Sequence, residues 1–401
     1  MVLPPLVQPV DVLAPDERVR AARQLRLFEI GDVGQRRLAA AKVAVIGAGG
    51  LGSPVLLYLA SAGVGTLGIV DDDVVDATNL QRQIAFGTTD VGRAKATVAT
   101  ERVRALSPHT AVIEIREHLD AANAQRLLTG YDVVVDGSDT FETRYAIADA
   151  CAALGIPLVW GSVLRFDAQA TVFWSRPPNG LAEPARANAS DSTSADGTQP
   201  VNLRDVFPEP PAPEDAPSCA DAGVLGALCG QLGGILSAEV VKLICGVGET
   251  LLGRMLVIDA LTATTREVPL VPAPRAESAL QRGTPQMTPE RDTPRPAFAR
   301  PDAVRRVRAD DLRALSDPTV IDVREPDEFA AGTIPGARSV PLSHVATDAS
   351  LLALDHPVVV FCQTGPRARI AARMLLAEHP DADIRILDGG YDAWMRAQVH
   401  A

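Results

Sequence analysis

The sequence predicts an α/β protein of two units: a doubly wound parallel sheet followed by a smaller α/β domain. Three observations carry this reading. Short apolar strands alternate with helical stretches from residue 42 to residue 259, the pattern of a parallel sheet with crossover helices. A glycine-rich turn, Gly47-Ala48-Gly49-Gly50-Leu51-Gly52, follows the first of these strands and opens a helix. A stretch dense in Pro, Arg, Thr and Glu, residues 272–301, interrupts the alternation before it resumes on a smaller scale. The 401 residues admit two to three domains at about 150 residues each.

In chain order, residues 16–27 read as an amphipathic helix that stops near Gly31 and Gly34. The alternation then runs strand 42–46, helix 51–62, strand 66–70, helix 93–106, strand 111–116, helix 121–128, strand 132–135, helix 141–154 and strand 157–159. The uncharged run 43–70 is long enough to span a bilayer but holds seven glycines and a proline. That many breakers favour a buried strand, turn, helix, turn and strand over a membrane helix. A strand at 168–174 leads into residues 176–218, rich in Pro, Ala, Ser and Asp. This segment is too long and polar for a tight connection and reads as a mobile crossover loop. A helix at 222–244 and a strand at 254–259 complete a first domain of residues 1–271. Residues 272–301 read as a semi-stiff linker. The second domain, 302–401, has strand candidates at 319–323, 357–361 and 383–387 and helical ones at 367–378 and 391–397.

Composition narrows the function. With 38 basic and 50 acidic residues the net charge is −12, which argues against nucleic acid as the main partner. The N-terminal residues show no basic region followed by an apolar stretch, so a cytoplasmic protein with no membrane association is expected. The five cysteines are odd in number and widely spaced, fitting neither a disulfide framework nor paired zinc ligands.

The glycine turn lets phosphates approach the backbone and a helix N-terminus, and Asp71 ends the next strand at a distance suited to a ribose hydroxyl. Alone, this fits a dinucleotide oxidoreductase or a plain packing turn equally well. Arg82, within Asn79-Leu80-Gln81-Arg82-Gln83, and Lys95 would neutralise reacting phosphates better than they would a nicotinamide ring. Taken singly they also fit solvated surface cations. Asp139 follows an apolar strand at its carboxyl end, where a carboxylate beside phosphates suits Mg2+ and would equally serve as a helix N-cap.

The stretch GAGGLGSPVLLYLASAGVGTLGIVDDDVVDATNLQRQ, with GRAKA, DGSDTFETR and SCADAGVLG, resembles the ThiF/MoeB/HesA family, relatives of ubiquitin-activating enzymes that adenylate sulfur-carrier proteins. The resemblance implies a Rossmann-like adenylation domain that uses ATP and Mg2+. In the implied reaction, the Gly-Gly carboxylate of a ubiquitin-like carrier attacks the α-phosphate and pyrophosphate leaves. It places Gly47, Gly49, Gly50 and Gly52 around the phosphates, Asp71 on the ribose, Asn79, Arg82 and Lys95 on the phosphates, and Asp139 on Mg2+. Arg20-Ala-Ala-Arg23 resembles the family's R-Y-x-R element without its tyrosine, and implies that Arg23 reaches the ATP site of a second subunit in a homodimer. Thr140 stands where many relatives have Asn.

Cys219 precedes a predicted helix whose N-terminus would favour a thiolate; alone it also fits an inert apolar residue. In its motif it resembles the family cysteine that forms a thioester or mixed disulfide with the carrier. Cys229 and Cys245 fall in apolar helix and read as core. Many relatives hold structural zinc on two C-x-x-C pairs. Here Asn202 and Asp205 stand in place of the first pair and no pair follows Asp259, so no zinc is expected. That departure resembles a zinc-free branch often fused to a rhodanese domain.

In the second domain a strand delivers Cys362 into Gln363-Thr364-Gly365-Pro366-Arg367 just before a helix. Loop amides, the helix N-terminus and Arg367 would stabilise an anionic sulfur. A loop one residue longer would fit phosphate; this tighter one suits a terminal sulfur. The flanks, including Asp322-Val323-Arg324-Glu325, Gly332 to Ala337 and Leu387 to Trp394, resemble rhodanese domains, with Cys362 carrying the persulfide and Asp322 and Arg324 as scaffold.

Together the resemblances imply carrier adenylation followed by sulfur transfer from the Cys362 persulfide, giving a carrier thiocarboxylate for molybdopterin (molybdenum cofactor), thiamine or cysteine-type pathways. The sulfur donor would be thiosulfate or a cysteine desulfurase. An NAD-dependent oxidoreductase with an accessory rhodanese, or a non-catalytic carrier-binding scaffold, are the competing expectations.

Overall fold

A computed structural model describes residues 3–177, 201–210, 222–270, 304–312, 315, 317–342, 344–345, 357–380 and 382–399. They fall in two compact units. Most of the expected crossover loop, Cys219 with it, and the expected linker lie outside the described residues.

The first unit is built on β1 (Lys42–Ile46), β2 (Thr66–Val70), β3 (Ala111–Ile115), β4 (Val133–Asp136), β5 (Leu158–Leu164), β6 (Asp167–Phe173), β7 (Arg254–Asp259) and β8 (Thr264–Pro269). They form one sheet in the order β3-β2-β1-β4-β5-β6-β7-β8. Pairing is parallel from β3 to β5, as the alternation predicts, and antiparallel from β5 to β8. The antiparallel extension is a departure from the doubly wound reading. Strand β5 runs on to Leu164 and turns back into β6 at Arg165, whose φ is +56°. Strand β8 escapes the sequence pattern because all six of its residues are exposed, which leaves no buried face to impose a period.

The helices are α1 (Pro15–Arg20), α2 (Gly31–Ala40), α3 (Gly52–Ala62), α4 (Lys95–Leu106), α5 (Ala124–Leu128), α6 (Phe141–Leu154), α7 (Leu203–Val206) and α8 (Gly226–Cys245). The expected helix 16–27 is cut short at Arg20, where the Arg20 guanidinium turns back onto Glu17 and the Ser61 carbonyl. Val19 and Leu27, apolar residues of that expected span, are exposed. Helix α2 lies where two glycines suggested a stop. Gly34 serves packing instead: a Cβ there would meet Ile30 Cγ2 at 2.9 Å.

Two cores cover the two sheet faces. Val43 and Val45 of β1 face one, with α3, α4 and α8; Ala44 and Ile46 face the other, with α5 and α6. This is the burial of a strand covered on both sides. Helix α8 is long and apolar enough to cross a membrane, but Leu232, Leu236 and Val240 are wholly buried in the first core. It approaches α3 so closely that a Cβ on Gly233 would meet Pro54 Cγ at 2.4 Å.

The second unit is a five-stranded parallel sheet in the order β11-β10-β12-β13-β9. Its strands are β9 (Arg305–Val307), β10 (Thr319–Asp322), β11 (Arg338–Ser339), β12 (Val358–Phe361) and β13 (Ile384–Leu387), and its helices α9 (Ala309–Leu312), α10 (Pro326–Ala330), α11 (Pro366–Glu378) and α12 (Gly390–Val399). Strands β9 and β11 and helices α9 and α10 go beyond the sequence reading; each is short, and β9 buries Val307 alone of its three residues.

Candidate active sites

The first site lies at the carboxyl ends of β1 and β4, the crevice where ligands enter an open α/β sheet. Gly47 directly follows β1 with φ +83°, and a Cβ on it would come within 2.9 Å of the Gly137 carbonyl oxygen just beyond β4. A Cβ on Gly52, the first residue of α3, would lie 1.8 Å from the Gly47 oxygen. Backbone thus occupies the space a side chain would need, and the N-terminus of α3, the end of a helix that carries partial positive charge, lies at this turn.

Asp71 directly follows β2 and is buried. Its Oδ2 accepts from the Ala48 amide at 2.7 Å and its Oδ1 from the Asp73 amide at 2.9 Å. It therefore shapes the glycine turn directly, and burial pushes its carboxyl above the usual range. Asn79 Oδ1 accepts from the Asp76 amide at 3.2 Å and closes a capped turn. That turn presents Arg82, whose methylenes lie 3.5 Å from where a Gly50 Cβ would stand. Lys95, buried at the start of α4, donates to Asp73 Oδ2 at 2.8 Å. Asp139 is exposed, two residues past Gly137. Arg23 is also exposed, whereas Arg20, the first arginine of that element, is held within the chain.

The structure thus joins Gly50 to Arg82, Asp71 to Ala48, and the Gly47 turn to the turn that carries Asp139. It brings to the site three residues that the sequence reading did not place there: Cys229, whose sulfur lies 3.1 Å from a Gly50 Cβ position, and Asp136 with Arg144, both bonded to Ser138, the residue before Asp139. Cys229 is buried, as the reading of it as core expects, but it backs the glycine turn. Cys245 is core as well, and burial pushes its thiol up to about 11. Asn202 and Asp205 form the capping box of α7. Among the described residues no group of three or more His, Cys, Asp or Glu side chains could hold a metal.

Cys219 lies outside the described residues; residues 223–226 are held to the first unit. The Gly223 carbonyl accepts from the Arg165 amide and the Leu225 amide donates to the Arg165 carbonyl, each at 2.9 Å. Gly226 then meets the Gln81 carbonyl so closely that a Cβ would lie 2.2 Å away. Gly226 is therefore anchored against Gln81, the chain neighbour of Arg82.

The second site lies at the end of β12. Cys362 is 1% exposed, and its Sγ accepts from the Gly365 amide at 3.1 Å. Gly365 holds φ +127°, a conformation that favours glycine, and Pro366 opens α11. Arg367 directs both terminal nitrogens to Glu328, at 2.6 and 2.7 Å, and this guanidinium holds the Glu328 carboxyl below its usual range. Arg367 thus braces the loop against α10.

Behind the loop, Arg324 is buried between Asp322, Gln363 Oε1 at 2.8 Å and the Gly332 carbonyl at 2.6 Å, with the Tyr391 ring 4.2 Å away. The Tyr391 amide donates to the Cys362 carbonyl at 2.8 Å. A Cβ on Gly390 would meet that same carbonyl at 2.4 Å. These contacts fit the scaffold role expected of Asp322 and Arg324.

Residues 21–280 match the ThiF family and residues 308–397 match the rhodanese-like domain. Over 410 aligned residues the chain is 41% identical to the probable adenylyltransferase/sulfurtransferase MoeZ of Mycobacterium tuberculosis, covering 98% of this chain and 97% of that protein. Over 260 residues it is 42% identical to the sulfur carrier protein adenylyltransferase of Thermus thermophilus, covering 65% and 90%. The crystal structure of E. coli MccB with succinimide shares the fold, with a TM-score of 0.50, 19% identity and coverage of 66% of this chain and 74% of that one. The chain belongs to the ThiF family and carries a rhodanese-like domain: it is an adenylyltransferase joined to a sulfurtransferase.

Proposed function

We propose that the first unit adenylates the C-terminal Gly-Gly carboxylate of a ubiquitin-like sulfur carrier and that Cys362 then supplies the sulfur. The observation that carries this reading is the pairing, on one chain, of a glycine-turn nucleotide crevice with a thiol cradled by a loop amide. The similarity to a sulfur carrier protein adenylyltransferase of Thermus thermophilus supports such a carrier. The carrier carboxylate attacks the α-phosphate of ATP, pyrophosphate leaves, and an acyl adenylate forms. The terminal sulfur of the Cys362 persulfide attacks the acyl carbon and AMP leaves with the bonding pair. A thiolate, from Cys219 or an external reductant, then attacks the Cys362 sulfur of the acyl disulfide, releasing the thiocarboxylate and leaving a disulfide that a second thiol reduces.

Gly47, Gly49, Gly50 and Gly52 would seat the phosphates, Asp71 would face the ribose, and Asn79, Arg82 and Lys95 would contact the phosphates. Asp139 is a single exposed carboxylate, which fits Mg2+ completing its shell with phosphate oxygens and water. That ion would neutralise charge developing on the phosphates. Arg23 would enter the partner subunit's site in a homodimer. The domains are taken as 1–271 and 302–401, with 272–301 as a linker long enough to bring Cys362 to the adenylate. Thiosulfate or a cysteine desulfurase would supply the sulfur, and a cytoplasmic setting would keep the thiols reduced.

The test is to incubate the full chain with ATP, Mg2+, thiosulfate and a purified Gly-Gly carrier and to weigh the intact carrier. Replacement of one carboxylate oxygen by sulfur is expected. Nicotinamide binding without ATP consumption would instead favour an oxidoreductase, and carrier binding without pyrophosphate release a scaffold.

A further inference from the structure

Ser138 is gripped from two sides. Its amide and its hydroxyl both donate to Asp136 Oδ1, at 2.9 and 2.6 Å, and its carbonyl accepts from Arg144 Nη2 at 3.0 Å. Asp136 is the last residue of β4 and wholly buried; Arg144 lies in the first turn of α6 and is 7% exposed. The Arg144 guanidinium also lies 5.6 Å from the ring of Trp160, the residue that pairs with Asp136 in the β4–β5 register. One strand end and one helix thus clamp the same residue, and the next residue in the chain is the exposed Asp139.

These side chains are expensive to bury. Asp136 Oδ2, Arg144 Nε and Trp160 Nε1 are buried without a hydrogen-bond partner among the described residues. Buried charges left partly unsatisfied add little stability that an apolar pair could not supply. Their distinguishing contribution is the fixed turn. Gly137, on that turn, is wedged against Gly47, so a shift of Ser138 moves Asp139 relative to the phosphate crevice.

We propose that Asp136 and Arg144 are positioning residues that set the Asp139 carboxylate against the nucleotide through Ser138. The proposal rests on the reading of Asp139 as the residue that holds the nucleotide's divalent ion. The test uses full-length protein with ATP and Mn2+ as the spectroscopic stand-in, following bound Mn2+ by electron paramagnetic resonance. ATP binding without metal is followed separately with a fluorescent ATP analogue.

Asp139→Ala should abolish the protein-dependent Mn2+ signal. Arg144→Ala should weaken Mn2+ binding about tenfold, the low end of losses seen when residues behind a ligand are removed. Arg144→Lys should recover part of that loss, and metal-free nucleotide binding should hold. Ser138→Ala keeps the buried charges, is expected to fold, and should weaken Mn2+ binding severalfold; it decides the matter if Arg144→Ala does not fold. Unchanged Mn2+ affinity in Ser138→Ala and in folded Arg144→Ala, with the signal lost in Asp139→Ala, overturns the positioning role. An unchanged signal in Asp139→Ala overturns the parent reading, and this proposal with it.

Discussion

Gly47 and Gly137 stand at the ends of the neighbouring parallel strands β1 and β4, and a Cβ on Gly47 would come within 2.9 Å of the Gly137 carbonyl oxygen. The turn that opens α3 and the turn that carries Asp139 therefore lean on each other through backbone alone. Few substitutions can be absorbed there, because no side chain is present to rotate away.

Gly52→Ala is the sharpest test of that contact. Its Cβ would fall 1.8 Å from the Gly47 carbonyl oxygen, so the turn must open or the start of α3 must move. A loss of roughly 2–4 kcal/mol in urea unfolding is expected, together with loss of ATP binding. Gly49→Ala is the matched comparison: its Cβ would meet nothing closer than Gln83 Nε2 at 3.8 Å, and stability should change by less than about 0.5 kcal/mol. Equal losses in the two variants would show that the close approach is not what limits this turn.

Cys362→Ala should separate the two chemistries. Sulfur transfer from thiosulfate to cyanide and formation of carrier thiocarboxylate should both vanish. Carrier-dependent ATP–pyrophosphate exchange should continue at close to the wild-type rate. Gly365→Ala leaves the thiol in place but asks a side chain to adopt φ +127°, costing about 1–3 kcal/mol, and should lower sulfur transfer by moving the amide that reaches Sγ. Exchange that falls along with sulfur transfer in Cys362→Ala would contradict independent sites.

The ion pair between Arg367 and Glu328 has a signed pH dependence. The guanidinium holds the folded-state Glu328 pKa below its ordinary value, which in an unfolded chain is about 4.3. Its contribution is therefore present above that unfolded value and is lost as pH falls through the lower, folded one. Melting temperatures of wild type and Glu328→Gln should differ by a constant amount from neutral pH down to about 5, and converge as the pH falls below the unfolded value and through the lower, folded one. A gap that widens with acidification would have the wrong sign.

The boundaries of β1, β2 and β7 could be read from the sequence, as could both ends of α6. β1 and β2 are short apolar runs covered on both faces, so burial and pattern agree. Helix α2 could not be read, because Gly31 and Gly34 resemble stops until Ile30 and Cys245 are seen packed against Gly34. The site divides in the same way. Gly47, Gly52 and Cys362 were legible because the backbone conformation or the chemistry demands those residue types. Arg144 and Cys229 were not, since one matters through a turn that precedes its helix and the other through the seating of α8 behind Gly50. Nor could the sequence show that Arg367 faces Glu328, a pairing across 39 positions.

Arg23 is exposed, while Arg20, three residues earlier, is bound to Glu17 and to the Ser61 carbonyl of its own chain. If Arg23 completes the nucleotide site of a second subunit, defects at Arg23 and Asp139 should complement. Arg23→Ala and Asp139→Ala homodimers should each lack ATP–pyrophosphate exchange. After mixing and subunit exchange, half of the dimers would pair one variant with the other. In each mixed dimer the Arg23→Ala subunit keeps its own Asp139 and receives an intact Arg23, whereas the other site carries both defects. Exchange should then recover to about a quarter of wild type, as closed two-fold symmetry requires. An arginine acting within its own subunit would restore nothing, because every subunit in the mixture would still carry one of the two lesions.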